Sequence, residues 1–154
     1  MIKILTATQE ALILEILAAN DTMAFATLRP DGFPQSNTVT YVNDGLTIYF
    51  GTWDSTQKVR NLAYSDKVSC SLEGYDQDWN KIRGLSFGGT AEVVTQASEI
   101  VKIYELMDRK FPQIKQFPIP DFGAALVVRI KPVVASIIDY SKGFLHSELV
   151  ALPS

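Results

Sequence analysis

A chain of 154 residues is long enough to bury one substantial core and short enough for a single domain, expected here over residues 1–154. Hydrophobic residues make up 47% and charged residues 20%, which argues against disorder, and a net charge of −3 supplies no basic field for nucleic acid. No uninterrupted apolar run approaches the roughly 20 residues of a membrane span, so no membrane partner is expected. The one cysteine, Cys70, excludes an internal disulfide, and the N-terminus lacks a signal-peptide pattern; both point to a cytoplasmic location.

The first periodic segment runs from Thr8 to about Asn20. Leu12, Ile13, Ile16 and Leu17 recur there at helical spacing, with Thr8 as the expected cap. Strand signals follow. Met23 to Leu28 ends at the turn Arg29-Pro30-Asp31-Gly32, Pro34 to Val42 ends at Asn43-Asp44-Gly45, and Leu46 to Gly51 alternates with period two. Ser55 to Ser65 switches to helical spacing through Val59, Leu62 and Ala63. Val68, Cys70 and Leu72 then make a fourth strand, and Gly74 to Arg83 a polar loop around Trp79. Leu85 to Val94 is a fifth strand, in which Gly88-Gly89 predicts a bulge. Ser98 to Phe111 is helical with Ser98 as the expected cap. The prolines at 112, 118 and 120 interrupt regular structure, and Ala124 to Tyr140 is a long strand bent at Pro132. Residues 141–154 carry no clear periodicity. Six strands joined mostly by tight turns predict a mainly β fold, an antiparallel six-stranded barrel with peripheral helices. Strands one to three have no room for parallel crossovers.

Two segments carry candidate chemistry. In Gly51-Thr52-Trp53-Asp54-Ser55-Thr56-Gln57-Lys58 a strand ends where a helix begins. Helix N-termini leave N–H groups unpaired and carry partial positive charge, so with the hydroxyls of Thr52, Ser55 and Thr56 and the Lys58 ammonium they suit a phosphate. An ordinary capped helix explains the same residues and is favoured on spacing alone; Asp54 must also face away from any anion. In the second segment, Ser36, Asn37, Thr38 and Val39 form a strand rich in small polar groups. It suits the edge of a flat ring system, or simply a half-exposed outer face.

The order of these motifs resembles the pyridoxamine 5'-phosphate oxidase-like FMN-binding split barrels. It runs Pro-x-Ser-Asn-x-Val from Pro34, Asp44-Gly45, Ile48-Tyr49-Phe50, then Thr52-x-x-Ser-x-x-Lys opening a helix. Asn61-Leu62, Asp66 to Ser69, Gly89 to Val93, Val128 to Pro132 and Asp139 to Phe144 extend the likeness over nearly the whole chain. The resemblance implies FMN as cofactor and a homodimer with FMN at the subunit interface. It places the ring along Ser36, Asn37, Thr38 and Val39. The phosphate falls at Thr52, Thr56 and Lys58, with Gly51, Ser55 and Gln57 beside them. Where the oxidases present arginines, this chain has Ser36 and Gln57. Its C-terminus has Tyr140, Phe144, His146 and Glu148 in place of their tryptophan and arginine segment. The shorter flavin oxidoreductases of the group are the better match. Such an enzyme takes hydride or electrons from a reduced nicotinamide or a small substrate.

No acid–base pair, nucleophile triad or metal cluster is evident, which fits both a flavin enzyme and a non-catalytic flavin carrier. A barrel holding the deazaflavin F420 or haem is the third reading. Lys58 and Arg60 make a thin groove for an acidic tail, and His146 is the one imidazole available to haem. Cys70, on the apolar phase of its strand, reads as a buried hydrophobe. The segment Phe111 to Phe122 reads as a connector or as a lid.

Overall fold

The computed structural model describes residues 2–153; Met1 and Ser154 lie outside the described residues. It contains nine strands and three α-helices: β1 (Lys3–Ile4), α1 (Ala7–Ala19), β2 (Thr22–Leu28), β3 (Pro34–Thr40), β4 (Val42–Asp44), β5 (Thr47–Trp53), α2 (Gln57–Tyr64), β6 (Lys67–Gly74), β7 (Arg83–Val93), α3 (Ala97–Lys110), β8 (Ala125–Asp139) and β9 (Ser147–Ala151). The six long strands are those expected.

The sheet runs β1-β9-β8-β7-β6-β2-β3, with β5 on β8 and β4 on β5. All pairings are antiparallel except β1 with β9. The barrel splits along β8. Residues 125–130 pair with β5, residues 134–138 pair with β9, and Pro132 stands between. Proline has no N–H for a ladder, so the change of partner falls where a bond is missing anyway. Opposite it, β7 shifts register between Gly88 and Gly89. A Cβ at Gly89 would lie 2.4 Å from the Lys131 carbonyl oxygen, so only glycine permits this approach.

Alternation fixes the two faces. Phe25, Cys70, Phe87 and Ala135 form one inward row across β2, β6, β7 and β8, and all are buried. Ile13, Ile16 and Leu17 of α1 join this core. Each such side chain stabilises the fold by about 1.5–3 kcal/mol. Helix α1 starts two residues earlier than expected, because Thr6 rather than Thr8 caps it: Thr6 Oγ1 accepts from Gln9 N–H and Gln9 Oε1 accepts from Thr6 N–H, a capping box.

The expected strand Pro34 to Val42 is two strands, broken at Tyr41. There the chain leaves β2 for β5, and the buried Tyr41 hydroxyl donates to Leu17 O at 2.6 Å. Helix α3 begins at Ala97 after Gln96, not after Ser98, and has no side-chain cap. It packs Ile103 outside the barrel against Val42, Tyr49 and Val127. Arg129 of β8 anchors it, donating to both Glu99 oxygens at 2.7 Å, while the Tyr49 hydroxyl donates to Glu99 at 3.0 Å. Residues 141–154 hold β9, which aperiodic reading missed; β9 is short and lies between β8 and the two-residue edge strand β1, so its order comes from pairing with both.

Candidate cofactor site

Strand β5 delivers Thr52 to the rim of the barrel, and the turn after it opens α2. The two threonines meet there: Thr52 Oγ1 and Thr56 Oγ1 are 3.3 Å apart. Thr56 holds the N-cap position but does not cap, because its hydroxyl donates to the Trp53 carbonyl at 2.9 Å. The first-turn N–H groups of α2 therefore have no side-chain acceptor, unlike those of α1. Lys58, the second residue of the helix, is half-buried and makes no ion pair among the described residues. Burial lowers its pKa from the ordinary 10.5.

The neighbouring polar groups are committed elsewhere. Ser55 Oγ donates to the Phe122 carbonyl at 2.8 Å, and the Asp54 carboxylate accepts from Ala124 N–H at 3.2 Å, turned toward residues 122–124. Arg60 donates to the Ser55 carbonyl at 2.7 Å. Gln57 Nε2 donates to Asn61 Oδ1 at 2.9 Å. Asn61, fully buried, donates in turn to Thr27 Oγ1 at 2.8 Å and Gln35 Oε1 at 3.0 Å. This chain of amides fastens α2 to β2 and β3. The sequence marks Asn61 only as part of the family likeness and gives it no role; the signal for one is a polar residue four after Gln57 on the barrel-facing side of a short helix.

On β3 the four candidate residues divide by face. Asn37 stands in the inward row opposite Phe25, and Val39 is buried in the core. Ser36 and Thr38 face outward and are exposed. Thr38 heads an outer row of small side chains that continues through Ala24, Ser71, Ser86 and Ser136. Of the expected set, then, Thr52, Thr56 and Lys58 gather at one turn. Ser55 and Gln57 brace it, Gly51 lies just before it on β5, and Ser36 and Thr38 present hydroxyls on the outer face of the edge strand.

The family model for pyridoxamine 5'-phosphate oxidase matches residues 10–136. The chain belongs to the pyridoxamine 5'-phosphate oxidase family. The match takes in α1 beyond its first turn and every strand from β2 to most of β8, so the turn with Lys58 lies inside it. No curated protein matches. Among solved structures, this family member is similar to the conserved hypothetical protein Rv2991 from Mycobacterium tuberculosis, at 28% identity and a TM-score of 0.74, covering 94% of this chain and 92% of that one. It is also similar to an F420 reductase, at 25% identity and a TM-score of 0.59, covering 79% and 94%. The heme binding protein from Mycobacterium smegmatis shares the fold at 19% identity and a TM-score of 0.75. There 96% of this chain covers 58% of the other.

Cys70 and His146 lie away from this turn in the sequence. Cys70 is buried and its thiol is pushed up to about 12 by burial, so it packs rather than reacts. His146 lies in the turn before β9, its Nε2 3.7 Å from Glu148 Oε1. Among the described residues no three His, Cys, Asp or Glu side chains are placed to hold a metal ion, and no helix is long and apolar enough to cross a membrane.

Proposed function

We propose that this protein binds FMN and works as an FMN-dependent oxidoreductase, with the flavin phosphate at Thr52, Thr56 and Lys58. One observation carries the reading: a half-buried lysine without a carboxylate partner stands in the first turn of a helix whose N-cap hydroxyl is turned away. Leaving a partly desolvated ammonium unpaired is costly, and a phosphate dianion is the group that removes the cost. The uncapped N–H groups and the Thr52–Thr56 hydroxyl pair supply the remaining donors. Membership of the family supports the same ligand.

Bound FMN would supply two-electron redox chemistry at its ring. The chain's own contribution is binding and orientation. Ser36 and Thr38 offer hydroxyls on the outward face of β3, and the edge strand offers backbone donors and acceptors to the polar rim of a ring. The outer row of small side chains supports a homodimer, since a surface without bulky groups allows a second copy to approach closely and cover the ring. The electron donor in this reading is a reduced nicotinamide or a small substrate. The buried free cysteine agrees with work in the cytoplasm.

F420 and haem fit less well. Arg60, the cation nearest Lys58 in sequence, is spent on the Ser55 carbonyl and Gln57. The single histidine sits in a hydrogen-bonded turn beside a carboxylate. The absorbance spectrum of the purified protein tests the reading. Flavin bands, or their recovery after FMN is added, are expected; a Soret band, or a colourless protein that ignores FMN, would overturn it. Anaerobic bleaching by NADH or NADPH then separates an enzyme from a carrier.

A further inference from the structure

The return from β8 into β9 carries strain. In the turn Gly143–His146 the His146 N–H donates to Gly143 O at 3.0 Å, and Leu145, third in the turn, has φ 61°. A type II turn demands that left-handed conformation there, and glycine or asparagine ordinarily supplies it. Leu145 is the only non-glycine residue among the described ones to adopt it. Such strain persists only where surrounding contacts hold it, and it collects at switch regions. Burial of the leucine does not compensate, because Leu145 is 63% exposed. The conformation instead sets Phe144 face to face with Trp79, with ring centroids 6.0 Å apart and planes 7° from parallel. Tyr140 meets Phe144 edge-on at 5.8 Å.

Trp79 is the fixed partner of the stack. It opens the short 3-10 turn Trp79–Lys81, where the Asp78 carboxylate accepts from Asn80 N–H at 3.1 Å and Ile82 N–H donates to Trp79 O at 3.2 Å. Tyr140 N–H donates to Ile82 O at 3.0 Å and fastens the two segments together. Phe144 is 69% exposed and depends on the turn that carries it. In that turn His146 Nε2 is enclosed and has no hydrogen-bond partner among the described residues. Glu148 Oε1 stands 3.7 Å from it, just beyond bonding range. Lys142 Nζ donates to the other oxygen of the same carboxylate at 3.3 Å. Burial pushes the Glu148 carboxyl up, but Lys142, the Gln9 side chain of α1 and His146 together hold it below the ordinary 4.5, so it is an anion at neutral pH. Asp139 at the end of β8 accepts instead from Ser141 N–H at 3.0 Å and Ser141 Oγ at 2.6 Å, with Arg83 Nε 3.8 Å away. The charged groups that face His146 are therefore Glu148, and Lys142 already paired with it.

Histidine is the side chain that ordinarily changes charge between about pH 5 and 8, and His146 is the only one in the chain. A neutral imidazole can give Glu148 no more than an uncharged hydrogen bond. An imidazolium gives a shorter, charge-assisted bond roughly twice as strong, and an enclosed charge left unpaired is strongly disfavoured. We propose that the Gly143–His146 turn is a proton-operated latch: protonated His146 pairs with Glu148 and keeps the turn closed with Phe144 over one face of Trp79, and on deprotonation the strain at Leu145 opens the turn and uncovers the indole. The closed turn binds the proton more tightly than the open one, so proton uptake and closure favour each other. The latch does not depend on the flavin reading, because none of its residues belongs to the anion turn and its readouts require no flavin.

The test uses the full chain carrying Trp53→Phe, which leaves Trp79 as the only tryptophan. Acrylamide quenching of Trp79 is followed over about pH 5–8, and the His146 ring protons, the single histidine set in the spectrum, are titrated by NMR over the same range. The quenching constant should rise by about twofold or more toward the alkaline end, with the midpoint that NMR gives for His146. Three further substitutions lie at exposed or half-buried side chains and leave the core intact. His146→Gln should make quenching independent of pH. Glu148→Gln should lower the His146 midpoint by about one pH unit, because the paired anion is gone. Leu145→Gly removes the strain and should keep Trp79 covered at every pH while His146 still titrates. Quenching that does not change with pH, or that still changes in His146→Gln, would overturn the latch. So would a His146 midpoint unmoved by Glu148→Gln, or a pH response in Leu145→Gly equal to that of the parent.

Discussion

Asn61, with no exposed surface, donates to the side-chain oxygen of Gln35 at 3.0 Å, and so ties the helix that carries Lys58 to the strand that carries Ser36 and Thr38. The two candidate segments are thus one mechanical unit, joined by a buried amide rather than by apolar packing alone. Asn61→Ala leaves Thr27 and Gln35 without their donor inside the barrel rim. The expected loss is about 2 kcal/mol, a Tm lower by roughly 4–8 °C. FMN affinity should fall as well, because the turn loses its brace. Thermal unfolding with a parallel FMN titration checks both; an unchanged Tm would mean that the amide chain holds nothing.

Glu99 gives the fold an acid-sensitive joint. The Arg129 hydrogen bonds hold its carboxyl below the ordinary 4.5, with further help from the Tyr49 hydroxyl, although burial opposes the shift. A folded-state pKa below the unfolded one contributes stability that is fully present above 4.5 and is lost as pH falls through the lowered value. Glu99→Gln removes this contribution. It should cost about 2 kcal/mol near neutral pH and progressively less as pH falls below 4.5. Urea unfolding of both proteins across that range measures the difference, and parallel curves at all pH values would exclude the role given to Glu99.

The two adjacent glycines of β7 are not equivalent. A Cβ at Gly88 would meet Val134 Cγ1 at 3.5 Å, an ordinary contact, while at Gly89 it would collide with Lys131 backbone. Gly89→Ala should destabilise by about 1–3 kcal/mol, and Gly88→Ala by less. Denaturant midpoints for the two variants decide this; equal values would show that the bulge can relax.

Cys70 should resist modification. With 2% of its surface exposed and its thiol pushed up to about 12, it offers almost no thiolate to a disulfide reagent near pH 8. One equivalent should react only after unfolding. Rapid reaction of the native protein would contradict the packing of the inward row.

The strands were legible because period-two alternation is a burial signal: Val68, Cys70 and Leu72 obey it, as do Ile48 and Phe50, although Tyr49 between them is also buried, on the other face against Ile103 of α3. Gly88-Gly89 and Pro132 were legible because each has a conformational restriction of its own. The break at Tyr41 was not, since β3 and β4 differ only in which strand they pair with, and pairing is a property of the closed barrel. The same holds for β9, whose alternation is too short to stand out before β8 is beside it. At the site, Thr52, Thr56 and Lys58 were readable from the strand-to-helix change. The diversion of Ser55 to Phe122 was not, because its partner lies 67 residues away.

The central claim is that Lys58 is poised for a phosphate, and one substitution separates ligand binding from folding. Burial disfavours the charged form of Lys58 in the ligand-free fold, so Lys58→Met keeps the apolar stem and removes an unpaired charge without weakening the fold. Titration of FMN into the ligand-free wild type and Lys58→Met, followed by quenching of flavin fluorescence, is the direct measurement. The expected result is one FMN per chain in the wild type and a Kd raised by about tenfold or more in the variant, with Tm unchanged or slightly higher. An equal Kd in the two proteins would contradict the phosphate assignment.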